Sequence, residues 1–395
     1  MISPWLAGIV AGAFLLTSAF AERVLSDQAT ATLWTVGPGP DLYAAFGHTA
    51  LRIADPVIGF DRIYNFGTFD FRTPNFYLKF IRGDLDYFLT AAIAPEVMVE
   101  YRTNHQLVIE QELNLTPAEL DGLFLAMEDN LQPERAAYRY DFIRDNCTTR
   151  IRDAIARVTP VRWKPLHANA PTLREMIQPY VADRPAIRLG INFLFGSNMD
   201  HSATSEEAMF LPEDLKRAFN DAIITDATGV RPLVRTTRAL LDGPKLPVPG
   251  TDWLSLGIWI VAVAAVVSLV VNRPWPHPLD VALFCMVALA GCFVWFLWLG
   301  TRHWVLHQNW HLLWAWPTHL VIWFFPKRIQ RKYWALYAAA VLLGGPWFYL
   351  SEARKWTAHA EQFPFLALKL LLGARALALF RRLKTSTTSD SFAQA

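Results

Sequence analysis

The chain has 395 residues, enough for about two or three domains, and its formal net charge is only +2. It shows no basic nucleic-acid patch, glycine-rich phosphate loop, repeat or low-complexity tract, so nucleotide- and nucleic-acid-centred functions are excluded. Composition divides it in two: 13 of its 16 tryptophans, and nearly all long apolar runs, lie at or after Trp253.

The first segment, "MISPWLAGIVAGAFLLTSAFAE", has an apolar core ending in the small residues Ala19 and Ala21. It reads as a secretory signal cut after Ala21; with no Lys or Arg before the core, an uncleaved anchor is the alternative. Residues 22–245 are too polar to span a bilayer and too long for a loop, so they form an exported domain of α+β type.

Within it, "HTALRI" and "RIYNF" alternate on either side of a Pro/Gly turn and predict two paired strands. Leu51 and Ile53 fall on one face, and His48, Ala50 and Arg52 on the other. Residues Asn104–Leu113 predict another strand. "TPAELDGLFLAMEDNL" then opens a helix with Thr116 as cap, Pro117 at its first position and Glu119 at its third. "YRYDFI" reads as a strand, and "CTTRIRDAIARV" as a helix capped by Asn146. Cys147, Ile151, Ile155 and Val158 share the inward face of that helix, while Arg150, Arg152 and Arg157 diverge from it.

Cys147 is the only cysteine of the exported part; Cys285 and Cys292 lie in an apolar run. It has no partner for an intramolecular disulfide in an oxidising compartment, which favours a chemical role over a bystander thiol. In a first helical turn, unpaired N–H groups and the helix dipole favour the thiolate and can hold an oxyanion. The competing reading is a small hydrophobe in the core. A base must come from His48, His105, His167 or His201. His48 follows Gly47 at a strand start, where a side chain can face a cleft. His105 is the alternative, and Asn65 or Tyr64 in "YNF" would orient or line the site.

Five runs are candidate spans: Trp253–Val271, Val281–Gly300, Trp304–Phe325, Tyr333–Leu350 and Phe363–Phe380. They predict an all-α transmembrane bundle of about five helices over residues 252–382, followed by a disordered cytoplasmic tail, 383–395. The basic stretches "PKRIQRK" and "FRRLK" then fall on the cytoplasmic side. That places "GTRHWVLHQNWHLLWAWPTHL" at the outer face with Cys147, where His303, Asn309 and Trp310 become candidate substrate contacts. His319 lies deeper. These histidines lack acidic or Cys co-ligands, so no metal is expected.

The segments "FGHTALRI", "YNFGTFDF", "YDFIRDNCTTRIRD" and "FLFGSNMD…EEAMFLP" resemble the Lnb N-terminal periplasmic domain family over roughly residues 30–220. With "HQNWHLLWAWPTHL", the chain resembles the Lnb-type lipoprotein N-acyltransferases. The order His first, Cys later, with "NC" opening a helix, also resembles the circularly permuted papain-like thiol enzymes, which include lecithin:retinol acyltransferase. The resemblance implies Cys147 as nucleophile and His48 as base, without a cofactor; it does not fix the third, orienting residue, for which Asn65 of "YNF" is the candidate. It implies a phospholipid acyl donor, a diacylglyceryl lipoprotein acceptor and a multi-pass bacterial inner-membrane protein with its catalytic domain in the periplasm. An exported cysteine peptidase or amidase acting on cell-wall peptides is the alternative, and a non-enzymatic scaffold is the third reading.

Overall fold

The computed structural model describes residues 24–227, 229–244, 246–272, 277–344 and 363–392. The leader, 1–21, lies outside them. Strands β1 (Thr30–Val36), β2 (His48–Asp55), β3 (Phe60–Thr68), β4 (Asp86–Ile93), β5 (Val108–Leu113), β6 (Ala137–Arg139), β7 (Val161–Arg162), β8 (Ile223–Asp226), β9 (Gly229–Pro232) and β10 (Val234–Leu241) make two sheets. The larger has seven antiparallel strands in the order β10-β5-β1-β2-β3-β4-β6, and the smaller is β7-β8-β9.

The alternation in β2 decides which side is which. Leu51 and Ile53 face a core shared with Ile151 and Ile155 of the helix Cys147–Val158 and with Leu120 and Leu123 of the helix Pro117–Asn130. Ala50 faces the opposite layer, where Trp34, Ile63 and Val108 meet Ala94 and Tyr101 of the helix Ala94–Thr103. Both predicted caps form: Thr116 with Glu119 in a reciprocal box, and Asn146 accepting from the Thr148 and Thr149 amides.

Three readings of this half are corrected. The strand at Asn104 begins only at Val108, because residues 104–106 close the preceding helix and His105 sits at φ 53° in the left-handed region. The "YRYDFI" strand stops at Arg139, since the Asp141 carboxylate accepts from the Ile143 and Arg144 amides and turns the chain. Arg152 does not diverge into solvent. It is buried, donating to the Glu206 carbonyl and pairing with Asp153.

In the membrane half, Trp253–Val270 and His277–Gly300 are helices long and apolar enough to cross a bilayer. The run Trp304–Phe325 is not the expected helix. It contains four short 3-10 turns, Trp304–Leu306, Trp310–Leu313, Pro317–Leu320 and Ile322–Phe324. It nevertheless returns along the whole preceding helix. Val305 and Leu306 pack with Leu297 at one end, His319 packs on Phe284 midway, and Trp323 meets His277 at the other end. Irregular backbone at membrane depth is stable only when protein surrounds it. Here Ala315, Ile322 and His319 are buried against Trp334, Tyr337 and Phe284.

Lys327–Ala339 continues through a π-helical turn, Ala340–Gly344, and Phe363–Phe392 is the last helix. The predicted disordered tail is thus helical to Phe392, with neither Pro nor Gly after Gly373 to stop the helix. Arg375, which interrupts the fifth apolar run, forms a bidentate pair with Asp280 at 2.7 and 2.9 Å and also donates to Ser268.

Candidate active site

Cys147 is the first residue of its helix, and the Asn146 side chain fixes that turn from both ends. Its Oδ1 accepts from Thr148 and Thr149, and its Nδ2 donates to the Phe142 and Phe210 carbonyls. Arg150 clamps the loop before it, bonding Asp145 at 2.6 and 2.8 Å and lying 3.5 Å over the Tyr138 ring. The helix packs on β2 and β3, which brings the thiol to the end of the sheet where β2 starts.

His48 waits there. Its imidazole is hydrogen-bonded to Cys147, and its Nε2 lies 3.1 Å from Asn65 Oδ1. Asn65 therefore occupies Nε2, leaving Nδ1 for the thiol. A bulge in β3 between Asn65 and Thr68 re-aims this strand end, and Gly67 within it has φ 93°, which a side chain would strain. A Cβ at Gly67 would stand 3.9 Å from Cys147 Cβ and 3.7 Å from Tyr140 Cε2, so the glycine keeps the space beside the thiol open.

Electrostatics follow from this packing. Burial pushes the Cys147 thiol up. The His48 charge, its hydrogen bond, the Thr49 amide and the Thr148 hydroxyl outweigh burial and bring the thiol down to about 7. Burial would lower His48, but the charge on Cys147 and the bonds to Cys147 and Asn65 raise it. The two favour a thiolate–imidazolium pair. The Thr49 amide acts on the sulfur and favours its charged form.

His105 is exposed on its turn and takes no part. His167 lies 3.7 Å from Asp214, and His201 bonds Glu207 and the Asn198 carbonyl. Of the expected substrate contacts, Tyr64 is turned into the core with its hydroxyl on Glu128, because β3 presents it on the helix-covered face opposite Asn65. Asn309 is buried, donating to the Phe193 and Leu194 carbonyls and capping the turn at His311, so it is a framework residue. His303 bonds the Phe80 carbonyl, and Trp310 is exposed on its turn.

The membrane contact that sequence reasoning missed is Trp304. Its indole donates to Asp141 in the loop ahead of Cys147, and Arg144 lies 3.8 Å over its ring. Nearby, Gly196 donates to the Val305 carbonyl so closely that a Cβ there would collide with the His307 carbonyl. Only an interfacial tryptophan in "TRHW" hinted at this. Tyr138, Tyr140 and Gly67 were equally silent, since their roles depend on the bulge. Among the described residues no cluster of His, Cys, Asp or Glu could hold a metal.

These features define a membrane protein in which an α+β domain with a Cys–His–Asn cluster is laced to a helix-rich membrane region. The family model of the Lnb N-terminal periplasmic domain matches residues 17–178, and that of the Lnb transmembrane domain matches residues 253–384. The chain belongs to the Lnb family, a family of lipoprotein-processing membrane enzymes, and its N-terminal domain is periplasmic. Neither a curated protein nor a solved structure matches it.

Proposed function

We propose that the protein is a thiol acyltransferase of the bacterial inner membrane, moving an acyl chain from a phospholipid to the N-terminal amine of a diacylglyceryl lipoprotein. The observation that carries this reading is the imidazole of His48 held between Cys147 and Asn65. The Cys147 thiolate attacks the ester carbonyl, and the backbone amide of Cys147 at the helix start receives the oxyanion, since Asn146 already holds the Thr148 and Thr149 amides. As the C–O bond breaks, His48 gives its proton to the departing lysophospholipid oxygen, leaving a thioester on Cys147. The acceptor amine then attacks that thioester and loses a proton to His48. The amide forms, and the thiolate returns. The cysteine at a helix start with His and Asn on adjacent strands supports a papain-like, permuted arrangement.

Its location supports an acyl acceptor and donor at the membrane. The loop carrying Cys147 is bonded to Trp304, four residues beyond the end of a membrane helix. Intact mass analysis of the full-length protein incubated with phospholipid should show a hydroxylamine-labile acyl adduct. Cys147→Ala should show no adduct and no transfer, with its fold kept because Asn146 still caps the helix. Wild-type transfer by Cys147→Ala overturns the reading, and lipid-independent cleavage of soluble peptides by the full-length protein would favour a peptidase instead.

A further inference from the structure

The periplasmic domain carries an apolar rim beside the candidate site. Phe71, Tyr77, Leu78 and Phe80 are 63, 74, 53 and 49% exposed, although three of them belong to one seven-residue helix, Phe76–Arg82. Tyr43, 69% exposed, meets the same group edge-on at Phe69. Scattered exposed apolar residues are ordinary, but a contiguous patch marks a surface that is covered in use.

Where this helix sits identifies what covers it. Its Phe80 carbonyl accepts from His303 and its Arg82 carbonyl from the Arg302 amide, at 2.9 Å each. Those two residues are the second and third beyond Gly300, the last residue of a membrane helix. The rim is therefore held at the level where that helix leaves the bilayer. Lys79 lies at the same level, as do Arg82 and Arg302, which share Asp84 between them and so leave the group net basic, where anionic headgroups would be met. Aromatic side chains with basic neighbours are the composition of a bilayer interface.

The rim also leads inward. Buried Phe76 stands 4.8 Å from Phe71 and 5.8 Å from Phe69 between ring centroids. Phe69 meets Tyr87 at 5.5 Å, and Tyr87 stacks on Tyr140 at 4.6 Å. Tyr140 and Cys147 both flank Gly67, where a Cβ would stand 3.7 Å from the Tyr140 ring and 3.9 Å from Cys147 Cβ. The rings thus run without a break from the exposed helix to the glycine beside Cys147.

We propose that the Phe71–Arg82 segment lies in the periplasmic leaflet of the membrane that the chain itself spans, and that the series Phe76, Phe69, Tyr87 and Tyr140 guides a lipid acyl chain from that leaflet to Cys147. The leaflet contact stands on placement alone, whereas the guiding role rests on the acyltransferase reading. An unbroken apolar path lowers the cost of drawing a chain out of the bilayer, because its methylenes exchange lipid for aromatic surface without crossing water.

The full-length protein in nanodiscs of phosphatidylethanolamine and phosphatidylglycerol tests both parts. An environment-sensitive fluorophore on Tyr77→Cys, with Cys147, Cys285 and Cys292 replaced by Ala, should be quenched by nitroxide lipids. The same label on Ile58→Cys, in the turn between β2 and β3, should not be. A label at position 77 that lipid does not quench overturns the leaflet contact, whether it is wet or shielded by a second protein. In the protein with its native cysteines, Tyr77→Ser/Leu78→Ser should lower the rate of acyl-enzyme formation from phospholipid, relative to a short water-soluble ester, by about tenfold or more. Ile58→Ser should leave that ratio at the wild-type value. An unchanged ratio in the double variant overturns the guiding role. Absence of any acyl-enzyme in the wild type overturns the acyltransferase reading and the guiding role with it, while quenching at position 77 still decides the leaflet contact.

Discussion

At Cys147 burial and charge oppose each other, and the balance decides whether the sulfur can react. A buried thiol alone would titrate above the ordinary value of about 8.5, but the adjacent imidazolium, an amide and a hydroxyl bring it to about 7. Below that pH the thiolate is protonated and its nucleophilicity falls; above it the pair is available, titrating as a unit. Alkylation of Cys147 by iodoacetamide should therefore rise through an apparent pKa of about 7. In His48→Ala the midpoint should move above about 8.5, because the desolvation cost stays and the cation is gone. An unmoved midpoint would show that His48 does not govern the thiol. The helix-start placement of Cys147 and the strand-start placement of His48 were legible because caps, strand starts and a lone cysteine leave marks in sequence, whereas the choice between Asn65 and Tyr64 was not. Tyr64 and Asn309 were misplaced because one face of β3 and one burial partner cannot be read from a neighbour's identity.

Among the elements, the apolar run from Trp304 to Phe325 departs most from its sequence. Hydropathy reports that a run is apolar enough to enter lipid, and says nothing about whether its backbone bonds are made within a helix or with neighbours. Pro317, and the turns capped at Asn309 and opened at Trp316, break the helix, while the surrounding helices shield the result. The three-residue set Arg375, Asp280 and Ser268 ties the last helix to the first two. An ion pair this deeply buried is held by its geometry, and removing one partner strands the other. Arg375→Leu should therefore destabilise the protein by about 3–5 kcal/mol. Asp280→Leu/Arg375→Leu should regain most of that, as read from thermal unfolding in detergent. Equal destabilisation by the single and double variants would mean that the pair contributes only packing.

For the whole molecule, the decisive feature is that the two halves share one seam. Leu297, Val305 and Leu306 of the membrane half lie in one apolar cluster with Ile143, Leu173 and Phe210 of the periplasmic domain. Trp304 closes the seam on the loop before Cys147. Trp304→Ala should leave both halves folded but let that loop drift, lowering transfer from phospholipid by as much as ~10²-fold. Alkylation of Cys147 should keep its midpoint, because His48 and Asn65 are untouched. Undiminished transfer would show that the seam does not position the site.

The sequence by itself determined the division into a periplasmic α+β domain and a membrane region, the β2–β3 pair, both capped helices and the placement of Cys147 at a helix start. Each follows from patterns within about a dozen residues, where periodicity, capping and span length act locally. Only the tertiary structure decided which face of β3 would meet the helix, that Asn65 rather than Tyr64 would reach His48, and that the apolar run after Gly300 would be a chain of 3-10 turns. Those outcomes depend on partners far away in sequence, Asp141 with Trp304 and Asp280 with Arg375 among them. Their free energy exists only once the chain has brought them together.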